Sequence, residues 1–377
     1  MLNTLPLSES EKNVLFDTHT KECFNAYAHH IENLIGTVKI PVGIAGPLLI
    51  QGQYAKGEFV IPLATSEGAL VASYNRGMKV IKAALGCHTA VTSDAMTRSP
   101  VFVFDTLENA IDASHWIQDR FEKLQTIVSL QSRYAILKSI DPLLHGNLLF
   151  FVFSFQTGDA AGQNMVTIAT QAICNYIVSE CPVMIKEHYV ESNLCGDKKA
   201  TNLSFQRGRG KSVTAHVNIP CTVFEKVTGC SVEKVKNYYD HAGKLGAALS
   251  GSMGAQAHVA NALAALYLAC GQDIACVAES AVGVCSVLQF NEHSLDFSLT
   301  LPNVIVGTVG GGTSLPSAST CLNIIGVKGE GQAKAFAEIV AATALAGEIS
   351  ILAAIAQGHF VKAHASLGRK PKAVPSF

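Results

Sequence analysis

The sequence predicts an α+β protein in which a small ferredoxin-like unit is inserted into a large mixed α/β domain. The first observation is the β-α-β-β-α order of segments between residues 100 and 189. The second is that the segments on both sides of this unit have a different pattern of apolar, polar and glycine residues. The third is size, because 377 residues, 49% of them hydrophobic and 15% charged, suffice for two domains and extensive burial. We therefore predict a helical segment at 1–35, a large domain at 36–99 and 190–377, and a small domain at 100–189.

The elements before residue 100 follow from local pattern. Residues 1–35 place apolar side chains among polar ones, as short helices do. Residues 40–63 alternate and carry Pro41 and Gly46, which predicts strands and turns. Residues 67–85 are predicted to form a helix with one buried face.

The small unit is predicted from five segments. Strand-like residues stand at 101–104, 134–138 and 147–155, and helical patterns stand at 107–124 and 165–179.

The chain after residue 190 returns to the large domain. We predict a polar loop at 191–201, a strand at 211–219 and small-residue helices at 232–269. A strand pair at 289–306, a glycine cluster at 307–313 and a long helix at 332–359 follow. Since small residues let helices approach closely, we expect the helices of 232–269 at the centre of a domain or a dimer.

Charge and composition exclude several classes of protein. A net charge of −1 gives no basic field for nucleic acid or an anionic membrane surface. The first residues do not resemble a signal peptide, and Glu338 and Glu348 interrupt the most apolar stretch, so no membrane span is expected. Eleven scattered cysteines without a Cys-x-x-Cys pair predict reduced thiols, no metal site and a cytoplasmic location.

Two polar positions are candidates for proton transfer and charge stabilisation. Glu67 precedes an apolar helical run, so we expect its carboxyl to face a cleft, where desolvation would raise its pKa. An acid that only satisfies the helix dipole is an equally good interpretation. Lys198 lies in the polar loop, where its ammonium could stabilise a developing oxyanion, although a solvated charged turn fits the pattern too.

Two further polar positions lie after helices. Asp273 follows an apolar helix and opposes its dipole, which a lysine partner would offset. His364 could shuttle protons, although a surface histidine on a terminal tail is the plainer interpretation. His359 and His364 do not have the spacing of helical zinc ligands.

Glycine-rich segments suggest anion binding. Residues 158–165 form a turn that opens a helix directly after a strand, where free amides can hold an anion, and Arg133 offers a guanidinium nearby. The cluster at 307–313 could cradle phosphate, but it lacks the dinucleotide fingerprint. Residues 210–212 only imitate a phosphate loop, since a strand follows them.

The order and spacing of these motifs together resemble the hydroxymethylglutaryl-coenzyme A reductase family. The resemblance runs from about Glu32 to His364, in the form shared by eukaryotes and archaea. Its segments are 32–36, 41–48, the Glu67 motif, Asp197-Lys198-Lys199, 208–213, Gly271-Gln272-Asp273, 307–313 and 358–364.

The resemblance implies reduction of a hydroxymethylglutaryl thioester to mevalonate and free coenzyme A, with two NADPH per turnover and no metal. It implies a large substrate domain, a small dinucleotide domain, and homodimers or larger homo-oligomers with active sites across the subunit interface. The implied catalytic residues are Glu67, Lys198, Asp273 and His364. The implied substrate-binding residues are Arg98, Asp197, Lys199 and Asn261. The implied coenzyme A contacts are Ser73, Asn75, Arg76 and Lys79. The implied NADPH contacts are Ser132, Arg133, Tyr134, Asp159, Ala161, Gly162, Gln163 and Asn164.

The chain departs from the family at three places. Ala161 and Gln163 replace two methionines that would pack on the cofactor, Glu191 stands before the lysine loop, and Lys370 replaces a regulatory serine. Two other functions stay open on the residues alone. One is an acyl-coenzyme A transferase or thioesterase using Cys195 and His364, and the other is a binding subunit without catalysis.

Overall fold

The N-terminal segment is helical, as predicted. The computed structural model describes residues 6–358, apart from the side chain of Phe290. It opens with α1 (Glu9–Leu15), α2 (Thr18–Glu22) and α3 (Phe24–Ala28). Ser8 and Glu11 close a reciprocal capping box at the start of α1, which satisfies two amides that the first turn leaves free.

A separate hairpin follows, which confirms the strands predicted at 40–63. β1 (Val42–Gln51) and β2 (Lys56–Ala64) pair antiparallel and lead into α4 (Leu70–Ala83). Ala69 has a left-handed φ of 74° and turns the chain into α4. The helix therefore begins three residues after Glu67, and Glu67 lies in the preceding turn rather than on the helix.

The three strands and the helical regions predicted between residues 100 and 189 are present, and this stretch holds one more helix and one more strand. After β3 (His88–Arg98), the elements of this stretch are β4 (Val101–Val103), α5 (Leu107–Gln118), α6 (Phe121–Gln131), β5 (Ile136–His145), β6 (Leu148–Gln156), α7 (Gln163–Glu180) and β7 (Glu187–Tyr189). The single helix predicted over 107–124 is wrong, because the chain breaks at Asp119 and Arg120. The Arg120 guanidinium lies 4.0 Å from the Trp116 ring centroid and donates to the Trp116 carbonyl, which stabilises the break.

The remaining elements of the described chain are four strands and eight α-helices, of which the last helix is the longest. They are α8 (Asn202–Arg207), β8 (Gly210–Pro220), α9 (Cys221–Thr228), α10 (Val232–Tyr238), α11 (Lys244–Ser250), β9 (Gly254–Ala255), α12 (Val259–Ala269), α13 (Val277–Ser280), β10 (Gly283–Asn291), β11 (Ser294–Val304), α14 (Pro316–Ile325) and α15 (Ala333–Ala356). A π-helical turn, Tyr239–Gly243, joins α10 to α11. Most of α12 is buried as expected, whereas no residue of α11 is buried in the single chain.

One nine-stranded sheet runs through the protein. Its order is β7-β4-β6-β3-β8-β11-β10-β9, and β5 pairs with the other side of β6. The long strand β3 joins the two parts, because its first residues pair with β8 and its last three, Met96 to Arg98, pair with β6. The polar loop that contains Lys198 lies between β7 and β8 in the chain.

The helix α15 is the centre of the core. By length and composition it could cross a membrane, but 89% of its most apolar window is buried inside the protein. Its two glutamates are buried and accept backbone amides, Glu338 from residues 53–55 and Glu348 from Ala257 and His258. The acids that interrupt the apolar pattern therefore anchor a hairpin turn and the start of α12.

α15 crosses α4 at close range. A Cβ on Gly77 would overlap the carbonyl of Ala346, and one on Gly347 would meet the Tyr74 ring at 2.6 Å. Glycine at these two positions lets the backbone of each helix approach the other helix closely, which sets their crossing.

Candidate active site

Lys198 and Asp273 form an ion pair that is partly exposed to solvent. Lys198 Nζ lies 3.1 Å from Asp273 Oδ2, and both side chains are nearly half exposed. The hydrogen bond that Lys198 donates to Asp273 is the main reason that the pKa of Lys198 is raised. Burial tends to raise the pKa of Asp273, but the Lys198 hydrogen bond and the Ala275 amide bring it below its ordinary value. Both groups are therefore charged at neutral pH.

Asp273 is placed by the end of α12. Gly271, with φ 65°, turns the chain back, and a Cβ there would overlap the Gly312 carbonyl. Asp273 then caps the 3-10 turn Ile274–Cys276, with its carboxylate accepting the Ala275 amide at 3.1 Å. The lysine partner expected from the helix dipole is Lys198.

The turn predicted for the dinucleotide lies beside this pair. Asp159 accepts the amides of Gly331 and Ala333 at 2.7 and 3.0 Å, which ties the turn to the start of α15. A Cβ on Gly307 would meet the Ala161 amide nitrogen at 2.5 Å, so the two glycine-rich segments touch through backbone.

Gln163 reaches from that turn toward the ion pair. Its amide nitrogen lies 2.9 Å from Cys276 Sγ and 3.5 Å from Asp273 Oδ2. Gly162, with φ 84°, precedes α7 without a side-chain cap. The first amides of α7 therefore point out of the turn in which Ala161 and Gly162 lie, and Asn164 is exposed on the helix.

The other predicted NADPH residues lie at the same end of the β5–β6 pair. Ile136 pairs with Gln156, so the segment before β5 and the turn after β6 are neighbours. The Ser132 hydroxyl accepts the amides of Tyr134 and Ala135, and exposed Arg133 lies over the Tyr134 ring.

Arg98 and Asp197, which the sequence predicts to bind substrate, form an ion pair with each other. Arg98 is 5% exposed and pairs with Asp197 at 3.1 Å and with Glu191 at 2.5 Å. Arg98 therefore balances the charge of Glu191. Lys199 is exposed and donates to the Asp197 carbonyl, and Asn261 is half-buried near the start of α12.

Three of the four residues predicted to touch coenzyme A have partners within the protein. Ser73 shares a hydrogen bond with the Ser350 hydroxyl, and Arg76 donates to the same hydroxyl and to the Ser350 carbonyl. Asn75 accepts the Gly46 amide, and Lys79 is exposed. Ser73, Arg76 and Asn75 therefore join α4 to α15 and β1 in this state of the protein.

The environment of the Glu67 carboxyl differs from the cleft that the sequence predicts. Its side chain is exposed, and among residues 6–358 it makes no hydrogen bond or ion pair. The expected cleft around this carboxyl is therefore wrong for the single chain, because the turn before α4 points it outward. His364 lies outside the described residues.

Cys195 does not have the properties of a nucleophile. It is 3% exposed, and its thiol donates to the Glu191 carboxylate. Burial, and next the charge of Glu191, raise its pKa to about 11. A thiol in that state is not a thiolate at neutral pH, which contradicts the cysteine-based alternative.

Two buried charged residues that the sequence does not single out lie next to the backbone of Lys198. Arg209 and Glu279 are both fully buried and pair at 2.9 Å. The available signal was Arg209 between two glycines, directly before an apolar strand and within the segment 208–213 that carries the family resemblance. Within the described part of the chain, no group of three His, Cys, Asp or Glu residues could hold a metal ion.

Comparison with known proteins gives one family. The family model for hydroxymethylglutaryl-coenzyme A reductase matches residues 2–369. The 3-hydroxy-3-methylglutaryl-coenzyme A reductase of Methanocaldococcus jannaschii is 44% identical over 91% of this chain and 86% of its own length. That of Haloferax volcanii is 39% identical over 96% and 91%. A class II reductase structure from Streptococcus pneumoniae, described as bound to NADPH, has a TM-score of 0.69 and 20% identity, with 93% of both chains covered.

Proposed function

This chain belongs to the hydroxymethylglutaryl-coenzyme A reductase family, and we propose that the Lys198–Asp273 ion pair is the centre of its active site. The reaction is reduction of 3-hydroxy-3-methylglutaryl-coenzyme A to mevalonate and free coenzyme A. It takes up two hydrides and two protons in all. The single observation that carries the proposal is a charged lysine and carboxylate beside an uncapped helix start.

Lys198 stabilises the substrate oxygen as negative charge develops on it. An ammonium aimed at that oxygen acts mainly in the transition state, because the carbonyl carries little charge beforehand. Asp273 keeps Lys198 protonated and orients it, since their hydrogen bond raises the pKa of Lys198. The pair titrates as one coupled unit.

The remaining proton transfers are assigned to Glu67 and His364. His364 protonates the departing coenzyme A thiolate, which would otherwise return to the aldehyde. Glu67 supplies a proton to the aldehyde oxygen in the second reduction. Because Glu67 is exposed in the single chain, we propose that a neighbouring subunit covers it.

The small unit fits a nicotinamide dinucleotide phosphate. NADPH supplies the hydrides when it is bound. The open amides at the start of α7 suit its pyrophosphate, and the exposed Arg133 guanidinium suits the 2′-phosphate. Gly310 and Gly311 have positive φ and open space where a Cβ would stand, so a ligand can approach that backbone closely.

We propose the same organisation that the sequence predicted, with a dinucleotide domain at 100–189 inserted into a substrate domain. Arg98, Asp197, Lys199 and Asn261 would contact the acyl group, and Lys79 with its neighbours on α4 would contact coenzyme A. We also propose a homodimer or higher homo-oligomer in the cytoplasm. All eleven cysteines are free, which suits a reducing compartment.

One assay tests the function against its alternatives. Nicotinamide absorbance and free thiol are followed together with the thioester as substrate. A reductase oxidises two NADPH for each thiol released. A transferase or thioesterase releases thiol without oxidation of NADPH, and a binding subunit does neither. Release of thiol with unchanged absorbance would overturn the proposal.

A further inference from the structure

Lys198 has an unusual backbone conformation. Its φ is 58°, in the left-handed region that residues with a side chain adopt at a cost. Such conformations persist where surrounding contacts fix them. Its amide donates to Glu279 Oε2 at 3.1 Å. The carboxylate of Glu279 is therefore a contact that holds this conformation.

Both the side chain and the backbone of Glu279 accept hydrogen bonds from other residues. Its side chain is fully buried, and its Oε1 accepts from Arg209 Nη1 at 2.9 Å. Its backbone carbonyl accepts a hydrogen bond from Asn303 Nδ2 at 3.0 Å. Arg209 Nη2 lies 3.2 Å from Asp197 Oδ1, on the residue before Lys198. One buried arginine thus ties together the carboxylate under Lys198 and the preceding aspartate.

The chain around Arg209 is shaped to bury it. Gly208 and Gly210 have φ values of 79° and 81°, and a Cβ on Gly210 would meet the Val304 carbonyl oxygen at 2.7 Å. The glycines therefore turn the arginine inward between α8 and β8. Gly210, the first residue of the motif that imitates a phosphate loop, therefore has a structural role here.

We propose that Glu279, fixed by Arg209, is a positioning residue that holds the Lys198 backbone so that its ammonium meets Asp273. This inference rests on the proposed role of Lys198 in catalysis. Glu279 touches no reacting atom, and its effect passes through the Lys198 amide. A buried ion pair that served stability alone would leave the activity of each folded molecule unchanged.

The first test is Glu279→Gln in the full chain. Glutamine keeps the volume of glutamate, but it is uncharged and has only one side-chain oxygen. It therefore cannot replace both carboxylate oxygens, which accept from Arg209 and from the backbone N–H of Lys198. We expect kcat to fall about tenfold to a hundredfold per folded molecule, with KM nearly unchanged, because small misplacement of a reacting group carries such a cost. Glu338→Gln is the matched control, since Glu338 is also buried and also accepts backbone amides, in another part of the core. It should leave kcat unchanged.

A second readout does not depend on turnover. Competitive acetylation with acetic anhydride across an alkaline pH series, read by mass spectrometry, reports the pKa of each lysine. Asp273 raises the pKa of Lys198, so loss of their contact should lower it and speed its labelling. Exposed Lys79 and Lys82 serve as references in the same sample.

The outcomes separate the two proposals. Normal kcat and unchanged Lys198 labelling in Glu279→Gln would overturn the positioning role. Altered labelling with normal kcat would retain the positioning role and overturn the catalytic role of Lys198. If Glu279→Gln does not fold, Glu279→Asp keeps the charge for Arg209 and withdraws the carboxylate by one methylene. That variant should show the same loss of kcat, and normal kcat would count against the proposal.

Discussion

At the residue scale, the site depends on a lysine whose charge is secured by Asp273. We expect Lys198→Ala to lower kcat by about a hundredfold to a thousandfold, as loss of an oxyanion donor does. Substrate KM should change less, because the interaction forms mainly in the transition state. The side chain is 47% exposed, so unfolding in urea should be nearly unchanged.

The adjacent lysine provides the comparison. Lys199 is exposed and proposed to bind the acyl carboxylate, so Lys199→Ala should raise the KM for the thioester and change kcat little. Steady-state kinetics on both variants measures the two effects. Near-normal kcat in Lys198→Ala would remove Lys198 from the mechanism.

Arg133 tests the cofactor preference. A guanidinium pairs with the 2′-phosphate of NADPH through charge-assisted hydrogen bonds, each worth about 1.5–3 kcal/mol, whereas NADH presents a hydroxyl. Arg133→Ala should therefore raise the KM for NADPH about tenfold or more. The KM for NADH is the internal control and should hardly move. Equal loss with both nucleotides would mean that Arg133 does not contact the phosphate.

At the element scale, the crossing of α4 and α15 depends on glycine. Gly77→Ala places a methyl group against the Ala346 carbonyl, so the helices must separate. We expect the free energy of unfolding to fall by about 1–3 kcal/mol, although alanine favours a helix more than glycine does. Urea unfolding measures the change, and Lys79→Ala on the exposed face of α4 should change stability by less than about 0.5 kcal/mol.

The buried glutamate of α15 makes stability depend on pH. Burial raises the pKa of Glu348 to about 7 from 4.5, against the lowering effect of its two amide donors. The folded state therefore binds the proton more tightly than the unfolded state does, and stability falls as pH rises from about 4.5 through 7. The contribution lost from this group is roughly 3 kcal/mol, at 1.36 kcal/mol per pKa unit.

Glu348→Gln removes that titration. The urea-unfolding free energy of the variant should fall less between pH 4.5 and 7 than that of the wild type. Parallel pH profiles for the two proteins would show that Glu348 has an ordinary pKa when folded. The comparison subtracts every other titrating group, because only this carboxyl differs.

At the scale of the whole molecule, α11 lies within the residues 232–269 that the sequence predicts at the centre of a domain or a dimer. Its Leu245 and Leu249 are 55% and 89% exposed, and small residues lie between them. Large exposed apolar side chains on a small-residue helix are typical of an interface. Leu249→Lys should shift the protein toward monomer in analytical ultracentrifugation and lower its activity, since the active sites are proposed to span subunits. A variant with unchanged mass and activity would place the interface elsewhere.

The sequence by itself determined the α+β class, most element positions and the chemical types in the site. Local pattern sufficed for the strands β1 and β2, for α7, which buries one face, and for α15, whose long apolar run is buried on nearly all sides. Motif order sufficed for the family, since many short matches in one order rarely agree by chance.

Only the tertiary structure decided which charges meet. The Lys198–Asp273 pair joins residues 75 positions apart, and nothing in local pattern specifies such a contact. The same reason applies to Arg209 and Glu279, whose burial is decided by strands and helices packing over them. It also applies to Glu67, which the turn at Ala69 leaves exposed although the residues that follow it are apolar. Periodicity shows which face of an element is buried, but the partner on that face depends on how distant segments pack.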